Sequence, residues 1–347
     1  MRSADGLTTR WLIAAPFFTT KDAQWLDDFA GAPGMTLEKV YRLADGEENW
    51  HDRKTRTTSS SAWKAHWRQA RAATAQAPDG IVTVFPQLAL LAAIRKTLFG
   101  GRFKILAWCF NVGAKPDGLK LLISKFFLKR IDRFVVHSRG EIEMLHVWFG
   151  IDRARIAFVP LQRAPIAPVA TEDLTDPFIV SMGSANRDYE TLISAVDGTG
   201  IPCRIIASPR VIPDREMPAN VELGSGLTPD ECLALAQRAR ISVIPLDDVD
   251  TASGQVTIVE AMRMGRPVIA TRGVGSVDYI EDGVDGVLVA PRDADALRAA
   301  IAALWNDADL RKRLARTGCE TAERRFSDEA AAAALVAMLE SIGGPKA

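Results

Sequence analysis

Ser253, Gly254, Gln255, Val256 and Thr257 stand where a polar loop turns into a helix, and Glu260 follows one turn later. Small residues let a backbone approach a ligand closely. The free amides of Gly254, Gln255, Val256 and Thr257 would point at the loop mouth, and such a helix start is a ready anion site. Glu260 can accept two hydroxyl hydrogen bonds, which is what a ribose diol offers. The chemistry suggested is a phosphate held by amides beside a sugar held by a carboxylate. An ordinary strand–loop–helix with a solvated glutamate fits the same residues.

The surrounding elements decide whether these groups can meet. Ile241, Val243 and Ile244 make a short buried strand. The helix opening near Gln255 carries Val256, Ile258, Val259, Ala261 and Met262 and stops at Gly265, with Pro267 just beyond. Pro267 to Thr271 is the next strand. A second glycine loop, Gly273 to Ser276, leads into a short helix with Tyr279, and Gly286 to Ala290 is a further strand. The order predicts a parallel α/β unit with two glycine loops at strand carboxyl ends, where open α/β sheets bind ligands.

Glu260-Ala261-Met262, Gly265, Pro267-Val268-Ile269-Ala270-Thr271, Asp282-Gly283 and Gly286-Val287-Leu288-Val289 together resemble the donor-site region of family 4 glycosyltransferases. The resemblance covers residues 134–340 and extends to 1–133 only by architecture. It implies the GT-B fold, two Rossmann-like domains facing across a cleft, with a nucleotide-diphosphate sugar against the second. The family has a paired glutamate separated by seven residues from the glutamate of its Glu-Ala-Met, and this chain has Ala252 there. The family also has two cations after the first strand of the second domain. Here that stretch is Gly183-Ser184-Ala185-Asn186-Arg187. Arg187 falls on the lysine position, and Ser184 occupies the arginine position in a shortened loop. The resemblance therefore implies a donor site of Gly183, Ser184, Asn186, Arg187, Ser253 to Thr257, Glu260 and Ser276. Arg187 is the expected cation for the diphosphate, because guanidinium pairs well with phosphate oxygens.

Composition fits this scale. The chain of 347 residues suits two domains, and 48% hydrophobic with 25% charged residues is usual for a soluble globular protein. Net charge is zero, yet residues 1–165 hold 25 Lys and Arg against 15 Asp and Glu, while 166–347 hold 18 against 28. A basic first half suggests an anionic partner such as a membrane surface or phosphorylated acceptor. Without an arginine-rich arm or nucleic-acid motif, nucleic acid is not expected. Cys109, Cys203, Cys232 and Cys319 fit no metal or disulfide spacing. They suit a reducing cytoplasm. No signal-peptide core or membrane-spanning run is expected from the sequence.

The first half reads as a strand from Trp11 to Phe18 without a glycine-rich turn, then a short helix over Asp22 to Phe29. Residues 45–61 form a polar loop. A helix follows whose Trp63 and Trp67 are expected in the core. Residues 115–133 combine Leu119, Leu122, Ile123, Phe126, Phe127 and Ile131 with Lys120, Lys125, Lys129 and Arg130. Such a helix can lie in a membrane interface or turn its apolar stripe inward. His51, Asp52 and His137 are candidate acceptor bases. Domains are expected over 1–165 and 166–327, with the helix from 328 to 347 crossing back to the first. Ser327 is a plausible N-cap for it.

The expectation is a metal-independent, retaining sugar transfer, without a cofactor, from a nucleotide-diphosphate donor to a glycan or polyprenyl-linked acceptor. It would run in the cytoplasm, peripheral on the inner face of the plasma membrane. Leaving-group charge would be held by Arg187 and the loop amides. A nucleotide-sugar epimerase of the same fold and a non-catalytic binding module are the alternatives.

Overall fold

The computed structural model describes residues 8–31, 33–42, 58–247 and 252–343. The chain divides into two compact units, Met1–Val159 with Ala331–Ala347, and Pro160–Ala330. Each is built on one six-stranded sheet whose neighbours all run parallel.

The first sheet comprises β1 (Thr9–Ala14), β2 (Met35–Val40), β3 (Gly80–Val84), β4 (Lys104–Trp108), β5 (Arg133–Val136) and β6 (Ile156–Phe158), in the order β2-β1-β3-β4-β5-β6. Helices α1 (Ser60–Thr74), α2 (Pro86–Phe99), α3 (Gly118–Leu128) and α4 (Gly140–Phe149) connect successive strands. They bury Ala70, Leu88, Ala92, Leu128 and Leu145 against Leu12, Ile81, Ile105 and Phe134 on one face of the sheet. The strand β3 is buried along its whole length and β4 from Ile105 onward, as in strands covered on both faces. Two expectations change here. The segment 22–29 forms only a single 3-10 turn at Leu26–Asp28. Trp63 is exposed rather than in the core, while Trp67 packs partly against it.

The second sheet comprises β7 (Ile179–Met182), β8 (Cys203–Ile206), β9 (Val221–Gly224), β10 (Ile241–Ile244), β11 (Val268–Thr271) and β12 (Val287–Val289), in the order β12-β11-β10-β7-β8-β9. This is the Rossmann order, with its reversal point between β7 and β10. Helices α5 (Tyr189–Val196), α6 (Pro229–Arg238), α7 (Gln255–Arg263), α8 (Ala294–Asn306) and α9 (Ala308–Arg325) complete the unit. Their starts are written in the sequence. Thr228 and Glu231 form a capping box on α6, and Asp188, Asp293 and Asp307 cap α5, α8 and α9. The Pro- and Ala-rich segment after Pro160 is tied to this unit. Gln237 Oε1 accepts from the amides of Val169 (2.7 Å) and Ala170 (2.8 Å).

The last helix, α10 (Asp328–Gly343), starts at Ser327, whose hydroxyl accepts from the amide of Ala330 at 3.2 Å. From Ala331 onward it belongs to the first unit, where Ala331, Ala332, Leu335 and Leu339 cover Trp11, Ile13, Val82 and Leu106 on the second face of that sheet.

Candidate functional site

The loops after β7 and β10 leave the sheet on either side of the reversal point, and they are stitched together. Asp188 donates its amide to the Pro245 carbonyl at 3.1 Å, and Asp247 donates to the Asn186 carbonyl at 3.2 Å. Arg187 and Leu246 form an isolated antiparallel bridge between them. This fixes the backbone of Arg187. Its guanidinium then donates to the Met182 carbonyl (3.1 Å), the Ala185 carbonyl (2.8 Å) and the hydroxyl of Thr257 (3.0 Å). Thr257 lies in the first turn of α7, so the cation of one loop is placed at the amide end of the helix opened by the other. Burial pushes the Arg187 pKa down, opposed by Tyr189. A guanidinium starts so far above neutrality that it stays charged. Gly183 has a φ of +108°, and a Cβ there would sit 2.9 Å from Arg187 Nη2, so glycine is what lets the guanidinium lie across this turn.

Gly254 caps α7 in the left-handed region at φ 82°, and any Cβ there would meet Leu246 at 2.9 Å. The amides of Gln255, Val256 and Thr257 make the open end of the helix, with no acidic side chain in the first turn. Ser253 Oγ is buried and has no hydrogen-bond partner among the described residues. A buried hydroxyl left unsatisfied is costly. The second loop presses on the first, because a Cβ on Gly275 would collide with the backbone nitrogen and oxygen of Ser253. Arg187 and the open amide end of α7 thus lie together through Thr257, with Ser253 in the loop just before the helix.

Other expected residues are placed differently. Ser276 is fully buried; its hydroxyl donates to the Thr271 carbonyl at 2.6 Å and accepts from the Gly273 amide at 2.9 Å. It closes its own loop instead of offering a contact to a donor. Glu260 is half-buried and is engaged by Arg163, which donates through Nε (2.9 Å) and Nη2 to Oε1. Sequence reasoning missed Arg163, which lies 97 positions away and carries no local signal. Ser184 is exposed, and its hydroxyl accepts from the Ser208 amide at 2.8 Å. Asn186 adopts a positive φ of 51° beside Arg187. Ala252 is buried, an apolar anchor where the family's carboxylate was sought.

In the first unit, His137 follows β5 and is buried. Its Nδ1 lies 2.7 Å from the Val159 carbonyl, and its amide donates to Glu141 at 3.2 Å. Burial pushes its pKa down to about 4, against the hydrogen bond to Val159. Its ring is neutral at physiological pH and oriented by the backbone, which suits a structural role better than that of an accessible base. His51 and Asp52 lie outside the described residues, as do Asp248 and Asp250. Among the described residues no group of three or more His, Cys, Asp or Glu could hold a metal ion. Asp247 instead pairs with Arg292 at 2.9 Å. The four cysteines are free, and no helix is long and apolar enough to cross a membrane among the described residues.

Comparison with known proteins agrees with this fold. Residues 213–307 match the family model described as Glycosyl transferases group 1. The lipopolysaccharide core biosynthesis glycosyltransferase LpsE of Rhizobium meliloti is 35% identical over 103 residues, 30% of this chain and 30% of that protein. A matched segment of this kind spans under a third of the relative's length. A glycosyltransferase from Rickettsia africae superimposes with a TM-score of 0.71 at 15% identity, covering 98% of this chain and 100% of that one. The Anabaena protein HepE, solved with UDP and glucose, gives a TM-score of 0.67 at 13% identity, covering 96% of this chain and all of that one. The chain resembles the group 1 glycosyltransferases, and its fold is GT-B: two Rossmann-like domains, each on a six-stranded parallel sheet.

Proposed function

We propose that this chain is a glycosyltransferase that moves a sugar from a nucleotide-diphosphate donor to a glycan or lipid-linked acceptor. The observation that carries the reading is the Arg187–Thr257 contact. It places a guanidinium at the open end of α7, beside the unsatisfied hydroxyl of Ser253, at the reversal point of a Rossmann sheet. Groups that stabilise a departing diphosphate must be in place before the charge develops, and these are held by the backbone bonds between the two loops. In transfer, the bond from the anomeric carbon to the diphosphate oxygen breaks and the acceptor oxygen bonds to that carbon. The nucleoside diphosphate leaves with the bonding pair, and the acceptor proton passes to a base. Arg187 and the amides of residues 254–257 receive the charge on the departing oxygens. Glu260 accepts the ribose hydroxyls, sharing its carboxylate with Arg163. The reaction then needs no metal, and the resemblance implies retention at the anomeric carbon. The naming of one relative for lipopolysaccharide core synthesis supports an acceptor of the glycan or glycolipid class. The free cysteines support a cytoplasmic setting.

The buried Ala252 favours one other reading, a module that binds a nucleotide sugar without transferring it. A thermal-shift screen of nucleotide sugars, followed by mass detection of released nucleoside diphosphate, separates the two. A ligand at 100 times its dissociation constant raises stability by about 2.7 kcal/mol. Stabilisation with release supports transfer, stabilisation without release supports the binding module, and no stabilisation by any nucleotide sugar refutes both.

A further inference from the structure

Helix α3 is apolar on almost every side, and the structure decides which side the core takes. Leu128 is buried, with Leu121 and Phe127 packed partly against the sheet. Leu119 (71% exposed), Leu122, Ile123 and Phe126 (54%) face outward. Their spacing of three and four residues lines them up as a single row. The neighbouring helix α2 packs on α3 and ends in Leu98 and Phe99, which are also exposed. The result is an outward apolar row of four large side chains on α3, with two more exposed at the end of the neighbouring helix on the same layer, beyond the single scattered residues usual on a protein surface.

The charge on this helix is of one sign beyond its N-cap, Asp117. Lys120, Lys125, Lys129 and Arg130 flank it, and α3 itself holds no acidic residue. None of these four cations has an ion-pair partner among the described residues. The nearby Asp132 is taken up by Lys96 (3.2 Å) and Lys104 (3.1 Å). On the same layer, Trp63 and Trp67 of α1 line a shallow depression with Lys64 and Arg68. Tryptophans, long cationic side chains and an apolar row on one helical layer are the residue types found at a lipid interface. Aromatic rings sit there at headgroup level, and lysines reach back to the phosphates.

We propose that this face of the first unit docks on an anionic lipid bilayer, with Leu119, Leu122, Ile123 and Phe126 entering the acyl boundary and the flanking lysines on the headgroups. A second copy of the chain fits poorly. A symmetric pairing through α3 would set Lys120, Lys125 and Lys129 against the same residues of its twin, which like-charge repulsion opposes. A protein partner fits less well than lipid because interface cores and their surroundings are depleted in lysine. The sequence alone left the apolar stripe either in a membrane interface or turned inward; the outward row favours the first, insertion steadied by charge.

Vesicle flotation of the full-length protein tests this, using phosphatidylglycerol–phosphatidylcholine vesicles, pure phosphatidylcholine vesicles, and no lipid. The wild type should float with the anionic vesicles and keep a bound fraction in 1 M NaCl, where the Debye length falls to about 3 Å. L122E and F126E should each lower the partition coefficient about tenfold, the scale of withdrawing one large apolar side chain. K120Q, K125Q and K129Q should each lower it about fivefold on anionic vesicles and leave phosphatidylcholine binding unchanged. All these positions are exposed or half-exposed, and an unchanged melting curve confirms folding. L122Q with F126Q serves as a milder second pair. An Arg187→Ala variant should float as the wild type does, so failure of the donor site and failure of this surface are distinguishable. Absence of binding to anionic vesicles overturns the proposal. So does complete release by salt, binding indifferent to L122E and F126E, or a lipid-free dimer that those substitutions dissolve.

Discussion

Replacing Arg187 by alanine is the sharpest test of the anion site, because the structure separates what the side chain does for the fold from what it has left to offer. A guanidinium carries five N–H donors. Three of them reach the Met182 carbonyl, the Ala185 carbonyl and the Thr257 hydroxyl, and two remain for phosphate oxygens. A hydrogen bond from a charged group is worth about 1.5–3 kcal/mol, so Arg187→Ala should weaken nucleoside-diphosphate binding roughly 10- to 150-fold. The same change leaves two carbonyls without their donor, at a cost of about 1–3 kcal/mol if they stay dry. For a protein or domain of 150–250 residues that is a drop of about 2–4 °C in melting temperature per kcal/mol. Arg187→Lys keeps the charge but not the planar fork, and should fall between the two. Titration calorimetry with a nucleoside diphosphate and with its parent nucleoside separates the effects. The diphosphate should lose affinity in the folded variant while the nucleoside does not. An equal loss for both ligands, or no loss for the diphosphate, would refute the assignment of Arg187 to the phosphates.

Glu260→Ala should weaken nucleoside and nucleoside diphosphate alike by roughly 1–3 kcal/mol, read by the same calorimetry, because the ribose is common to both. Arg163→Ala should cost under about 1 kcal/mol of stability, since its pair with Glu260 is partly exposed to solvent, and chemical denaturation measures it. His137 has a folded pKa lowered to about 4, so the unfolded chain takes up its proton first as pH falls. Stability is fully present above the unfolded value of about 6.5 and declines as pH drops toward 4, by up to roughly 3 kcal/mol. Denaturation curves of His137→Gln between those limits should be flatter than the wild type's. Transfer activity should persist in a chelator. Loss that manganese or magnesium reverses would point to the acidic run at Asp247, Asp248 and Asp250 instead of Arg187.

Much of the second unit was legible because its signals are local. An apolar run, a glycine loop and a helix start at residues 241–263 become β10, the Gly254 cap and α7. Thr228 and Ser327 begin helices where their hydroxyls allowed it. The site's long-range contacts were not legible. Arg163 reaches Glu260 and Arg187 reaches Thr257 across 97 and 70 positions, and no spacing rule records such a meeting. Ser276 looked like a ligand contact because serine in a glycine loop has two options, and only the fold shows that its hydroxyl turns inward. The face of α3 was undecidable for a different reason. Leucine and phenylalanine occur around most of its circumference, so periodicity marks a helix without saying which stripe is covered.

The return of α10 to the first unit bears on how the chain is made. Residues Ala331, Ala332, Leu335 and Leu339 supply the cover for Trp11, Ile13, Val82 and Leu106, yet they are synthesised after the whole of the second unit. During translation the first sheet therefore emerges with one apolar face covered only in part, by Phe18, Trp25 and Leu26, and stays so while about 170 residues of unit 2, Pro160–Ala330, are added. At about 5–20 residues per second that is a wait of roughly ten to thirty seconds. Closing a contact over such a separation is slow in itself. Unit 2 has no such debt to later sequence. It can reach its native core before α10 is made, while the first unit completes its core only once α10 has been added.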